Sequence, residues 1–220
     1  MAPPEHGNRG IDFNRTEWLQ GARGKRNGLA SAMGIEFPIV HASLTIGDRN
    51  FQDVGVRYKG NGTYLEGMGA GKFSFKIDLN QFVKGQSLGG TKKLNLHNNV
   101  TDPSWMNEPL SYRLYRDAGV PAPRTAYARV YLTVAGEYEK RYAGLYSLVE
   151  NVDDHFVVKN FSNKGGALFK PVSTNLFQYL GEDWANYNQT YDPKTALTAL
   201  QKQRLIDFEL IPETSLTRIF

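Results

Sequence analysis

At 220 residues, 40% apolar and 12% aromatic, the chain can bury roughly 70% of its unfolded surface in a globular core, and disorder throughout is excluded. The absence of cysteine excludes a disulfide scaffold, a CxxC redox centre, cysteine-ligated zinc and a thiolate nucleophile. The net charge of +4 divides into +5 over residues 1–100 and −1 over 101–220, and the lysines are dispersed. A nucleic-acid interface needs a dense basic stripe with stacking aromatics and is not expected. No apolar run reaches the roughly 18 residues of a membrane span, and the first thirty residues hold no signal-peptide core.

Residues 1–34, rich in Gly, Arg and Asn, read as a flexible lead-in with one short helix near Thr16–Leu19. Period-two patterning then begins. Val40, Ala42, Leu44 and Ile46 alternate with polar residues, Gly47-Asp48 marks a turn, and Val54, Val56 and Tyr58 alternate again. Gly60–Gly71 is Gly-rich and reads as a loop. Lys72–Leu79 predicts a strand with Phe73, Phe75, Ile77 and Leu79 toward a core and Lys72, Ser74, Lys76 and Asp78 away from it. Lys93–His97 is a further short strand.

A helix is expected next, capped by Asp102 with Pro103 at its first position, or starting or kinking at Pro109. Its apolar stripe is Met106, Leu110 and Leu114, and Gly119 and Pro121 end it. Thr125–Val134 and Tyr138–Val149 form a hairpin through Ala135-Gly136-Glu137. A short helix at 153–160, a short strand at 167–170, an irregular stretch at 172–193 and a helix at 194–208 complete the pattern. The sum is an α+β fold with a mainly antiparallel sheet.

The Gly-rich stretch is not a Walker A loop: the spacing is wrong, Phe73 stands where Ser or Thr is needed, and a strand follows. Its plain reading is a hairpin loop. Its chemical reading is a phosphate cover followed by a strand lysine, the logic of protein-kinase nucleotide lobes. Lys76 is then either an exposed strand lysine or the phosphate-facing one, and Glu108 on the following helix is either solvated or its partner. Glu150-Asn151-Val152-Asp153 leaves a strand for a helix. It reads either as a helix cap or as a carboxylate-bearing strand end beside a nucleotide. The four histidines show no zinc spacing and no G-x-S-x-G occurs.

Six segments in order resemble the CotH kinase family, the spore-coat protein H group. Val56–Thr63 is similar to its R-x-K-G-N-x-[ST] opening, Lys72–Ile77 to K-x-[SP]-[FY]-[KR]-[IL], and Lys93–Leu96 to K-x-L-N. Leu110–Arg124 is similar to L-[AS]-Y-x-L-[FY]-R-x-x-G-[VI]-P-A-P-R, Gly144–Asp153 to G-x-Y-x-L-x-E-x-[VI]-D, and Ala167–Pro171 to [NL]-L-[FY]-K. The resemblance implies an atypical protein-kinase fold, with an antiparallel β-rich nucleotide lobe over 35–193 and the start of a helical second lobe at 194–220. It implies use of ATP and Mg²⁺ to phosphorylate Ser/Thr on secreted, spore-coat or surface proteins. Lys59, Gly60, Asn61 and Thr63 would lie near the phosphates, Lys76 would face them with Glu108 as its partner, and Glu150, Val152 and Asp153 would lie beside adenine and ribose. The family's acidic segments, resembling D-x-x-x-x-x-x-H-N-Y-Y and W-D-x-D, are not found after the last helix. A C-terminally truncated chain is therefore expected, with no catalytic or metal-binding residue of its own and no turnover. The alternative is a non-catalytic coat or cell-surface protein that works by binding partners. The sequence leaves the compartment unassigned beyond the spore-coat, surface or secreted setting the resemblance implies.

Overall fold

The computed structural model describes residues 34–161, 165–171, 177–187 and 190–211. The lead-in at 1–33, including the expected helix near Thr16–Leu19, lies outside them. The chain divides into two compact units. One spans Phe37–Lys164, and the other contains the described residues from Gly165 onward.

The first unit is built on β1 (Val40–Ile46), β2 (Arg49–Lys59), β3 (Ser74–Asp78), β4 (Lys93–His97), β5 (Thr125–Val134) and β6 (Tyr138–Glu150). They form one antiparallel sheet in the order β1-β2-β3-β4-β6-β5. Strand alternation, with a β-bulge between Phe51 and Val54 that brings both to one face, puts Phe51, Val54, Ile77, Leu79, Leu94, Leu96 and Tyr146 into one buried cluster. Ser74, expected to point away from it, is also buried, because its Oγ accepts the Asn98 backbone N–H at 3.0 Å.

Two expectations are corrected. The Gly-rich stretch is not a loop: Gly62–Ala70 forms helix α1, which ends at Gly71 with φ +65. Glycine is a poor helix former, but packing overrides propensity here. Tyr64 on α1 packs on Phe37, Tyr58 and Phe73, with ring centroids 4.7, 5.8 and 5.1 Å apart. Gly67 is required by contact, since a Cβ would fall 2.6 Å from the Lys72 carbonyl oxygen. The helix after β4 does not start at Pro103. It is α2, Asn107–Asp117, with Pro109 in its first turn, where a missing N–H leaves no helical bond unmade. Asp102 caps the turn before it, accepting from the backbone N–H groups of Ser104 at 3.1 Å and Asn107 at 2.8 Å. Met106, Leu110 and Leu114 remain exposed, at 54%, 48% and 59%. Helix α3, Asp154–Phe161, follows β6 and buries Phe156.

In the second unit, β7 (Phe169–Pro171) pairs antiparallel with β8 (Tyr191–Pro193). A 3-10 turn at Trp184–Asn186 and strand β8 give order within the stretch expected to be irregular. Helix α4, Ala199–Glu209, opens on a capping box between Thr198 and Gln201. Tyr187, Tyr191 and Ile206 are its buried centre.

Candidate functional site

The register of the sheet lines up a polar row on the face opposite the apolar cluster. Arg57 lies directly across from Lys76, Lys76 from Asn95, and Asn95 from Val149. Two residues along each strand, Lys59 and His97 sit on the same face. The site therefore comes from three central strands and the helices entered or left at their ends.

Lys76 is largely buried, and among the described residues its ammonium has no hydrogen bond or ion pair. Burial holds its pKa below the ordinary lysine value. Arg57 and Lys93 push it the same way, and Asp153 and Asp78 only partly oppose them. Burial also lowers Arg57, whose guanidinium donates to the Tyr58 carbonyl at 2.9 Å. Two adjacent cations on a half-desolvated sheet face raise the local positive potential there.

Lys59 extends this face. Its Nζ donates to Asn95 Oδ1 at 3.1 Å and to His97 Nε2. On the other side of the ring, His97 Nδ1 lies 2.6 Å from Glu108 Oε2. Glu108 thus reaches His97, and no ion pair joins it to Lys76 among the described residues. In place of the expected pairing with Lys76, the Glu108 carboxylate is taken up at the end of β4, where the His97 ring offers it a nitrogen. Asn95 Nδ2 contacts Asn151 Oδ1 at 3.4 Å, and Asn151 Nδ2 donates to Asp153 Oδ2 at 2.9 Å. One polar chain therefore links Asp153, Asn151, Asn95, Lys59, His97 and Glu108.

The other candidates lie at the end of β2, at the start of α1 and after β6. Gly60 has φ +93, a backbone open to glycine, and a Cβ there would meet Thr63 Oγ1 at 2.2 Å. The Asn61 carbonyl accepts from Tyr64 and Leu65 at the start of α1. Buried Asn98 donates to the Thr63 and Lys72 carbonyls at 3.2 and 2.8 Å, pinning both ends of α1. Val152 is exposed, and Asp153 caps α3 through the His155 N–H at 3.1 Å.

Glu150 is committed elsewhere. Its carboxylate takes Arg124 Nε at 3.0 Å, an Arg124 terminal nitrogen at 2.7 Å and the Arg124 backbone N–H at 3.1 Å, with Thr91 Oγ1 at 3.4 Å. Burial pushes its carboxyl up, but the Arg124 bonds outweigh that and leave it below the usual carboxylate range. Its side chain locks the end of β6 to the start of β5.

Sequence reasoning missed Asn95, Asn98 and His97. The signal for two of them was present: alternation on β4 places Asn95 and His97 on the same face as Lys93, away from the core.

The sheet with α2 inserted between β4 and β5 and a lysine-bearing polar face defines a kinase-like N-lobe. The family model described as CotH kinase protein matches residues 56–210, and the chain belongs to that family. No curated protein matches the chain. No helix among the described residues is long and apolar enough to cross a membrane.

Proposed function

We propose that the unit Phe37–Lys164 is an ATP-binding lobe. Lys76 and Arg57 supply positive charge to the polyphosphate, with Lys59 beside them. Gly60, Asn61 and Thr63 bring the start of α1 toward the phosphates, and Val152 and Asp153 border adenine and ribose. Glu150 and Glu108 act indirectly, by holding the strand end and His97. The observation that carries this reading is Lys76. A largely buried lysine next to an arginine, with no carboxylate bound to it, is destabilising unless an anion completes it.

The family relationship extends the proposal to a Ser/Thr protein kinase acting on secreted, spore-coat or surface proteins. Phosphoryl transfer also needs metal ions held by carboxylates and a group that orients the nucleophile. Among the described residues no three His, Asp or Glu side chains gather into a metal-binding group. The family's acidic segments are not found in these 220 residues. The proposal therefore gives them nucleotide binding, not turnover. Calorimetric titration with ATP, with and without Mg²⁺, tests it: binding by the wild type and its loss in Lys76→Ala are expected. An equal response from the variant would remove Lys76 from the site.

A second reading, a coat or surface protein that works by binding partners, has its own observation. Tyr127, Tyr131 and Tyr142 are exposed on the β5–β6 hairpin, as is the α2 stripe. Capture of coat or surface proteins that is unchanged in Lys76→Ala would favour it.

A further inference from the structure

The Lys59–His97–Glu108 contacts carry a consequence for the anion site. The donors and acceptors fit only one neutral tautomer. A lysine ammonium has three N–H groups and no acceptor, so it must donate to His97 Nε2. Nε2 is then the bare nitrogen, the proton sits on Nδ1, and Nδ1–H donates to the Glu108 carboxylate. The ring joins a cation on β2 to a carboxylate on the first turn of α2. Each of the three sits on a different element or strand, and His97 and Glu108 are both only about a quarter exposed, at 25% and 27%.

We infer that His97 is a positioning residue of the anion site. This rests on the nucleotide-binding reading above. Lysine carries its charge on a flexible four-carbon stem, and ordering such a side chain on binding lowers affinity. His97 and Asn95 hold the Lys59 ammonium in place before any anion arrives, on the same face as Lys76 and Arg57. Glu108 in turn fixes the plane and tautomer of the imidazole, as carboxylates behind ligating histidines do at metal sites. Helix α2 is therefore part of the anion site through one imidazole, although none of its residues is placed to touch the ligand.

The ordering term for one rotamer-rich side chain corresponds to about three- to tenfold in affinity. The probe is inorganic tripolyphosphate, alongside ATP, titrated calorimetrically into the 220-residue chain. His97→Phe should bind both about three- to tenfold more weakly. His97→Gln, whose amide offers one acceptor and one donor, should recover most of the loss. Glu108→Ala should weaken binding in the same direction. ¹⁵N NMR of the imidazole tests the tautomer directly. The wild type should show Nδ1 protonated and Nε2 bare, and Lys59→Met should shift the Nε2 resonance with no ligand present.

Wild-type affinity in His97→Phe, or a His97→Gln variant no better than His97→Phe, would overturn the inference while leaving the nucleotide site standing. A proton on Nε2 would overturn it as well, whatever the titrations give. Absence of any binding by the wild type would instead remove the nucleotide-binding reading on which the inference rests, and the inference with it.

Discussion

Lys76→Met separates a functional lysine from a structural one. In the sheet register Lys76 stands directly across from Arg57. Like charges directly opposite each other across an antiparallel pair are destabilising by about 0.2–1 kcal/mol. Methionine keeps the unbranched stem and removes the charge, so the unliganded chain should become more stable by that amount. For a chain of this size that is a rise of roughly 1–4 °C in Tm. The same substitution removes a charge-assisted contact to phosphate, of order 1.5–3 kcal/mol, or about 10- to 100-fold in ATP affinity. The assay is thermal unfolding of both proteins with no ligand and over an ATP series. At ATP concentrations 100 times its Kd the wild type should gain about 2.7 kcal/mol, and the variant much less. A Lys76→Met variant that unfolds at a lower temperature without ligand and keeps the wild-type response to ATP would refute a role for Lys76 at the phosphates. Lys76 would then be holding the sheet together, not waiting for an anion.

Arg124→Ala leaves the buried Glu150 carboxylate without its cation. Breaking a buried pair costs about 3–5 kcal/mol, and the half-exposed arginine (50%) argues for the low end or somewhat below, about 2–3 kcal/mol by urea unfolding. The folded-state pKa of Glu150 lies below its unfolded value of 4.5, so its contribution is present above pH 4.5 and is lost as pH falls through the lower folded value. Glu150→Gln should therefore flatten the acid limb of the stability profile, and an unchanged limb would place the acid sensitivity elsewhere. In α1, Gly69→Ala meets open space and should stabilise by about 0.5–1 kcal/mol. Gly67→Ala drives a Cβ against backbone and should destabilise by about 1–3 kcal/mol. Equal effects of the two in chemical denaturation would contradict the packing of α1 against Lys72.

The strands of the sheet were legible because each has one buried face, and a period of two survives in the sequence wherever that holds. Phe75, Ile77, Leu94 and Leu96 announce themselves this way. Helix α1 was hidden by its own glycines, since the packing that forms it comes from Phe37 and Phe73, outside the segment. The polar site was only half legible. Lys59 and Lys76 are visible as charges on strands, but which residues lie opposite them depends on register, and register is a relation between positions 15 or more residues apart. His97 has no metal-ligand spacing, and a bridge between Lys59 and Glu108 has no spacing of its own to recognise. Glu150 was read by its position at a strand end, whereas its partner Arg124 sits 26 residues earlier.

Three of the nine residues of α1 are glycine, and of the nine only Gly67 is buried. Such a helix holds little free energy of its own, and its anchorage is one tyrosine ring and the Asn98 amide. Its amides should exchange with solvent far ahead of those in β3 and β4, through local opening that leaves the sheet intact. The segment flanking the proposed phosphate site would then open ahead of the strands that carry Lys76 and Asn95, with the timing set by its own composition.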